Sequence, residues 1–143
     1  MAKVNVKLPD EFMEKLSGLG SSFDAVAESV LKAGAEVVRA SVQEKLSGVV
    51  GSNTKYESRS TGELERALGV TGVRLGRDGN HNIKVGFSEP RSDGKSNAMI
   101  ANILEYGKSG QPAKPFLKPA KTASRKPCIE AMKAKLTEEV ENL

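Results

Sequence analysis

The chain has one histidine, His81, and one cysteine, Cys128. A structural or catalytic zinc needs a cluster of three or four nitrogen, sulfur or carboxylate ligands, and these two residues do not form one. His81 directly follows the turn sequence "RDGN" and reads as a solvated turn residue rather than a ligand or base. A nucleophilic Cys128 would need a base beside it and a field that lowers its thiol pKa. No histidine accompanies it in sequence, so it reads as a small, half-buried side chain at the start of a helix. Paired carboxylates do acid–base work only when they face one cleft. Glu63 and Glu65 fall on different faces of a short helix, and Glu138, Glu139 and Glu141 crowd one terminal turn. The glycine-containing stretches "GSNTK" and "GLGSS" lack the spacing of a phosphate loop. These residues give no support to an enzyme, and no metal or cofactor is expected.

The basic residues carry more information. Between Glu105 and Glu130 lie Lys108, Lys114, Lys118, Lys121, Arg125 and Lys126 without one acid, and the acids then gather from Glu130 to Glu141. Such a run is either a solvated face or a surface that meets an acidic partner or phosphates. Aromatic residues interleaved for base stacking are missing, which argues against sequence-specific reading of nucleic acid.

The elements that would position these groups follow from periodicity. "KLPDEFMEKLSGLG" has Leu8, Phe12 and Leu16 at helical spacing, Pro9 at a first helical position, Asp10 and Glu11 at the positive end, and Gly18 and Gly20 as a stop. "SSFDAVAESVLKAGAEVVRASVQEKL" puts Phe23, Val26, Ala27, Val30, Ala33, Val37, Ala40 and Leu46 on a broad apolar face, widened by Leu31, Val38 and Val42. About 25 helical residues reach roughly 37 Å, so this helix is the expected spine, with Gly34 allowing close approach of another backbone. "STGELERAL" reads as a short capped helix with Leu64 and Leu68 as its apolar stripe. Val73 and Leu75, then Ile83, Val85 and Phe87, alternate around Asp78-Gly79 and predict a β-hairpin, with Gly86 marking a bulge or a close contact. A hairpin alone is marginal, so a third strand is expected from the N-terminus or from near Pro115–Lys118. "AMIANILEYG" predicts a short helix in which Met99, Ile100, Ile103 and Leu104 are the apolar residues and Gly107 is the stop. From about Arg125 a last helix carries Ile129, Met132, Leu136 and Val140 on one stripe, with Pro127 in its first turn. The sum is an α+β domain: a long N-terminal helix on a small antiparallel, hairpin-based sheet, with short helices and a C-terminal helix. One domain over 1–143 is expected, with flexible loops at 47–60 and 88–97. Tyr106 and Phe116 are expected to be half-buried or better, anchoring the Gly- and Pro-rich segment between them.

Bulk properties narrow the class. The 143 residues are 38% hydrophobic, contain no Trp and carry a net charge of +4. A lean core fits a subunit that buries further surface against neighbours. A lone cysteine excludes an internal disulfide and suits a reducing compartment. "MAKVNVKLPDEF" has no apolar signal core, and no apolar run approaches the roughly 20 residues that cross a bilayer, so no membrane association is expected. The expectation is a soluble protein made in the cytoplasm.

Two motifs then decide the reading. One is "STGELERAL", with Thr61, Gly62, Leu64 and Arg66 in a Thr-Gly-x-Leu-x-Arg pattern. The other joins Glu105-Tyr106-Gly107 to "PAKPFLKPA", with Pro112, Pro115, Phe116, Leu117, Lys118 and Pro119. In this order, around a hairpin, they resemble the neck protein family of long-tailed bacteriophages of the Hong Kong ninety-seven type, the head–tail joining or tail-completion proteins. The layout resembles that family from about Ala25 to Val140. The family has Glu-Phe-Gly-Thr where this chain has Glu105-Tyr106-Gly107-Lys108, and a proline ahead of Thr-Gly where this chain has "ESRS". The resemblance implies a non-enzymatic virion subunit forming a ring, hexameric, between tail tube and head portal around the DNA channel. Its implied partners are copies of itself and neighbouring neck, portal-adaptor or tail-tube proteins, with at most transient, non-specific DNA passage. It implies synthesis in the bacterial host cytoplasm and residence in the tail or neck. The competing reading is a small basic nucleic-acid-binding module that dimerises through the long helix. A thiol enzyme using Cys128 is a third.

Overall fold

Val and Ala repeat along one helix at a spacing close to four, and that helix organises the rest. In the computed structural model, which describes residues 3–49, 63–77, 80–89 and 96–142, it is α2, Phe23–Val49. Its buried residues are Val26, Ala27, Val30, Leu31, Gly34, Ala35, Val38, Val42 and Leu46. They cover two adjoining sides, because α2 has a sheet against one and a helix against the other. The inward set is rotated from the sequence expectation: Ala33 and Val37 are half-buried and Ala40 is exposed.

The helix is α5, Leu117–Glu141. Contacts of Gly34 with Met132 and Cys128, and of Ser41 with Ala120, run in opposite chain directions, so α2 and α5 are antiparallel. A Cβ on Gly34 would lie 2.7 Å from Met132 Cγ and 3.0 Å from Cys128 Sγ, so only glycine admits this close an approach. The helix begins eight residues before Arg125, and Pro127 lies in its interior rather than its first turn. An interior proline costs about 3 kcal/mol. Leu117, Ala120, Ser124, Cys128, Met132 and Leu136 continue one buried stripe across it, and that burial outweighs the lost hydrogen bond. Ile129 is half-buried and Val140 is 41% exposed, so the stripe expected from Ile129 to Val140 is shifted by one residue at its start and lost at its end.

The sheet is antiparallel, in the order β1 (Val4–Lys7), β4 (His81–Phe87), β2 (Leu68–Val70), with β3 (Arg74–Leu75) also paired to β4. The expected hairpin is β3–β4, with Leu75 opposite His81; its turn residues Asp78 and Gly79 lie outside the described residues. The third strand comes from the N-terminus, with Val4 opposite Val85. Leu68 belongs to β2, not to the preceding helix α3 (Glu63–Ala67), because it pairs with Phe87. Gly86 marks no bulge; it sits in regular register opposite Gly69. Helix α1 (Asp10–Ser17) follows β1 with Pro9 as its N-cap, and Leu8, Phe12 and Leu16 are all buried. A 3-10 turn, Gly20–Ser22, leads into α2. His81 is not a solvated turn residue. It is the first residue of β4, stacks against Phe23 at 5.4 Å between ring centroids, and its Nε2 lies 3.2 Å from Asp24 Oδ1. Of the expected loops, Ser47–Val49 is helical, while Ser88 and Asn97 join through Asn97 Nδ2 donating to Ser88 O at 2.7 Å. Residues 50–60 and 90–95 lie outside the described residues.

Candidate assembly interface

Helix α4, Asn97–Tyr106, ends at the Glu-aromatic-Gly motif, and the sequence after it returns to begin α5. Gly107 makes the exit possible, at φ 78°, in the left-handed region where a side chain is strained. A Cβ there would also fall 2.8 Å from Ala113 N. Lys108 and Gln111 then pair as an isolated antiparallel bridge, turned at Gly110, φ 79°. Lys108 is thus held by backbone pairing. Lys114 N donates to Leu104 O at 2.7 Å and fixes the returning segment against α4.

Glu105 is the centre of this arrangement. Its carboxylate is buried, 5% exposed. Oε2 accepts from Phe116 N at 2.7 Å and Leu117 N at 2.8 Å, and Oε1 accepts from Lys118 N at 3.0 Å. Those are amides of the first turn of α5, which has no side-chain cap of its own and no acid in that turn. A carboxylate at this end satisfies orphan donors and complements the helix dipole. α4 starts in the same manner: Glu89 accepts from the amides of Asn97 and Ala98 at 3.0 and 2.8 Å, beside the Ser96 N-cap.

Phe116 is fully buried and meets Phe87 edge-on, with ring centroids 6.1 Å apart; Leu117 is buried beside it. This agrees with the expectation for Phe116. Tyr106 goes the other way, at 74% exposed. Because Glu105 must point inward to reach α5, the next residue on the helix points out. The inward side of α4 is Asn97, Ala101 and Glu105, and its larger apolar residues lie around it. Met99 is 62% exposed and Ile100, Ile103 and Leu104 are half-buried. Met99, Ile103 and Tyr106 therefore follow one another on one outward face.

Among the other motif residues, Leu64 is buried on α3, Arg66 is on its exposed side, and α3 packs against α4, which brings the two motifs together. Thr61 and Gly62 lie outside the described residues. Pro112, Pro115, Lys118 and Pro119 are exposed on the returning segment and the first turn of α5. Lys118, Lys121, Arg125 and Lys126 are exposed on the first half of that helix. Burial pushes the Cys128 thiol above its ordinary range, away from nucleophilic use. Among the described residues no group of His, Cys, Asp and Glu is placed to hold a metal.

A family model described as "Bacteriophage HK97-gp10, putative tail-component" matches residues 10–107. The chain belongs to this HK97-gp10-like family. The match takes in α1 to α4, the whole first motif and the Glu105-Tyr106-Gly107 part of the second, and ends at Gly107, before the Pro-rich run. The expected kinship with phage neck proteins of this type stands, and the chain is a structural component of the phage tail. No curated protein and no solved structure matches it. No described helix is long and apolar enough to cross a membrane.

Proposed function

We propose that this tail component is a ring-forming neck subunit, hexameric, that joins the tail tube to the head portal or its connector around the DNA channel. It acts by assembly rather than catalysis and resides in the virion. The observation that carries this reading is the outward face of α4. Met99 and Tyr106 are 62% and 74% exposed on one helix face, immediately beside the family motif. Large apolar side chains clustered on a surface mark a contact with another protein. The charge order of α5, basic over Lys118–Lys126 and acidic over Glu138–Glu141, supports unlike patches meeting in a head-to-tail ring. Negative-stain micrographs of the purified protein, with native mass measurement, are expected to show closed rings; labelled protein is expected at the neck of particles. Duplex DNA binding at micromolar strength with a steep salt slope, and no rings, would instead favour the nucleic-acid-binding module.

A further inference from the structure

The sheet has two faces, and α2 covers one. Ile83 and Val85 are buried toward α2, so Asn82, Lys84 and Gly86 between and beside them face away. Register puts Lys7 and Arg74 beside Asn82, and Gly69 beside Gly86. The outward face thus carries Lys3, Lys7, Arg74 and Lys84. Among the described residues no carboxylate reaches Lys3, Arg74 or Lys84 to pair with it. Lys3, with Arg74 behind it, holds the Lys84 ammonium below the ordinary lysine range, the mark of like charges held together. Lys3 and Lys84 also line a groove of about 270 Å³ whose other walls include Gly69, Val70, Gly86 and Phe87. Two opposed glycines leave its floor without side chains. An apolar slot beside ammonium groups suits a short apolar side chain flanked by carboxylates.

That chemistry exists on the other side of the same chain. α5 ends in Glu138-Glu139-Val140-Glu141. Val140 is 41% exposed, Glu138 and Glu139 share Lys135, and Glu141 has no cation within reach among the described residues. These acids add to the negative end of the helix dipole, so the turn is unfavourable alone and favourable against cations. α5 lies on α2 and α2 on the inner face of the sheet, so this turn and the groove cannot meet within one molecule.

We propose that the last turn of α5 in one copy docks in the outward sheet groove of the next, Val140 entering the slot and Glu139 and Glu141 pairing with Lys3 and Lys84. The proposal rests on the ring-subunit reading and names the surfaces that would close the ring. Unlike patches make the contact heterologous, so it repeats from copy to copy.

The test is charge reversal in two sets, Lys3→Glu with Lys84→Glu and Glu139→Lys with Glu141→Lys, followed by sedimentation velocity. Each set alone is expected to weaken self-association roughly tenfold or more, and an equimolar mixture is expected to restore it. A second measurement does not depend on those variants folding. Gly69→Cys with Val140→Cys, in a Cys128→Ala background, is expected to give a ladder of disulfide-linked multimers, since a Cβ at Gly69 meets nothing within 4 Å. Charge-reversed sets that assemble like the native protein, with no ladder, overturn the pairing and leave the ring reading intact. A native chain that stays monomeric at every concentration overturns both. Loss of duplex DNA binding in Lys3→Glu with Lys84→Glu, with assembly unchanged, would assign the groove to phosphates and overturn the proposal.

Discussion

Glu105 is a buried acid whose partners are all backbone amides. Removing its carboxylate leaves donors at the start of α5 that water reaches poorly. Glu105→Ala is expected to cost about 3 kcal/mol of stability, and Glu105→Gln, which keeps an acceptor oxygen without the charge, about half of that. Urea unfolding of the three proteins checks this; a Gln variant as stable as the native protein would mean that the charge contributes nothing, and equal stabilities for Ala and Gln would mean that the neutral acceptor contributes nothing. The sequence did not disclose this role. A glutamate before an aromatic and a glycine is legible as a motif, but a cap supplied from 11 to 13 residues away, as here, leaves no local pattern, unlike a Ser or Asp N-cap. Phe116 was legible, because a lone large aromatic in a proline-rich run has few reasons to stay in water. Phe116→Ala is expected to lose about 3–4 kcal/mol in the same measurement, and a loss of a few tenths would contradict its enclosure.

Elements were legible where their pattern was long or alternating. The spine α2, the β3–β4 hairpin and the existence of α1, α4 and α5 all follow from spacing of apolar residues. Boundaries failed where tertiary contacts overrode local signals. Pro127 reads as a helix start, yet α5 begins at Leu117 because a stripe of small and apolar residues lies against α2 and Glu105 holds its first turn. Leu68 reads as the end of a helix, yet β4 offers it a strand partner in Phe87. The inner side of α4 could not be read from its largest apolar residues: it holds Ala101 and two polar residues with dedicated partners. Hydrophobicity alone cannot separate a core stripe from a contact face. That distinction carries a prediction for the element. Met99→Ser with Tyr106→Ser is expected to leave thermal stability within about 0.5 kcal/mol, as for surface positions, while abolishing assembly with neck partners in a pull-down. A large stability loss would return both residues to the core.

At the scale of the whole molecule, the net charge of +4 conceals its distribution. Cations gather on the outward sheet face and the first half of α5, and acids at the far end of that helix. The arrangement of α5 has an effect that no single contact captures. Its cations stand at the end where peptide dipoles already point their positive pole, and its acids at the negative pole. Side-chain and backbone moments therefore add along a rod of 25 residues, roughly 37 Å. An isolated helix of this kind frays more readily, and here α2 holds it in place. In return the subunit becomes an electric needle. Two such subunits drifting together turn each other before they touch, pole toward opposite pole, within the Debye length of about 8 Å at physiological salt. Encounters in parallel register are repelled, and those that lead one end to another are favoured.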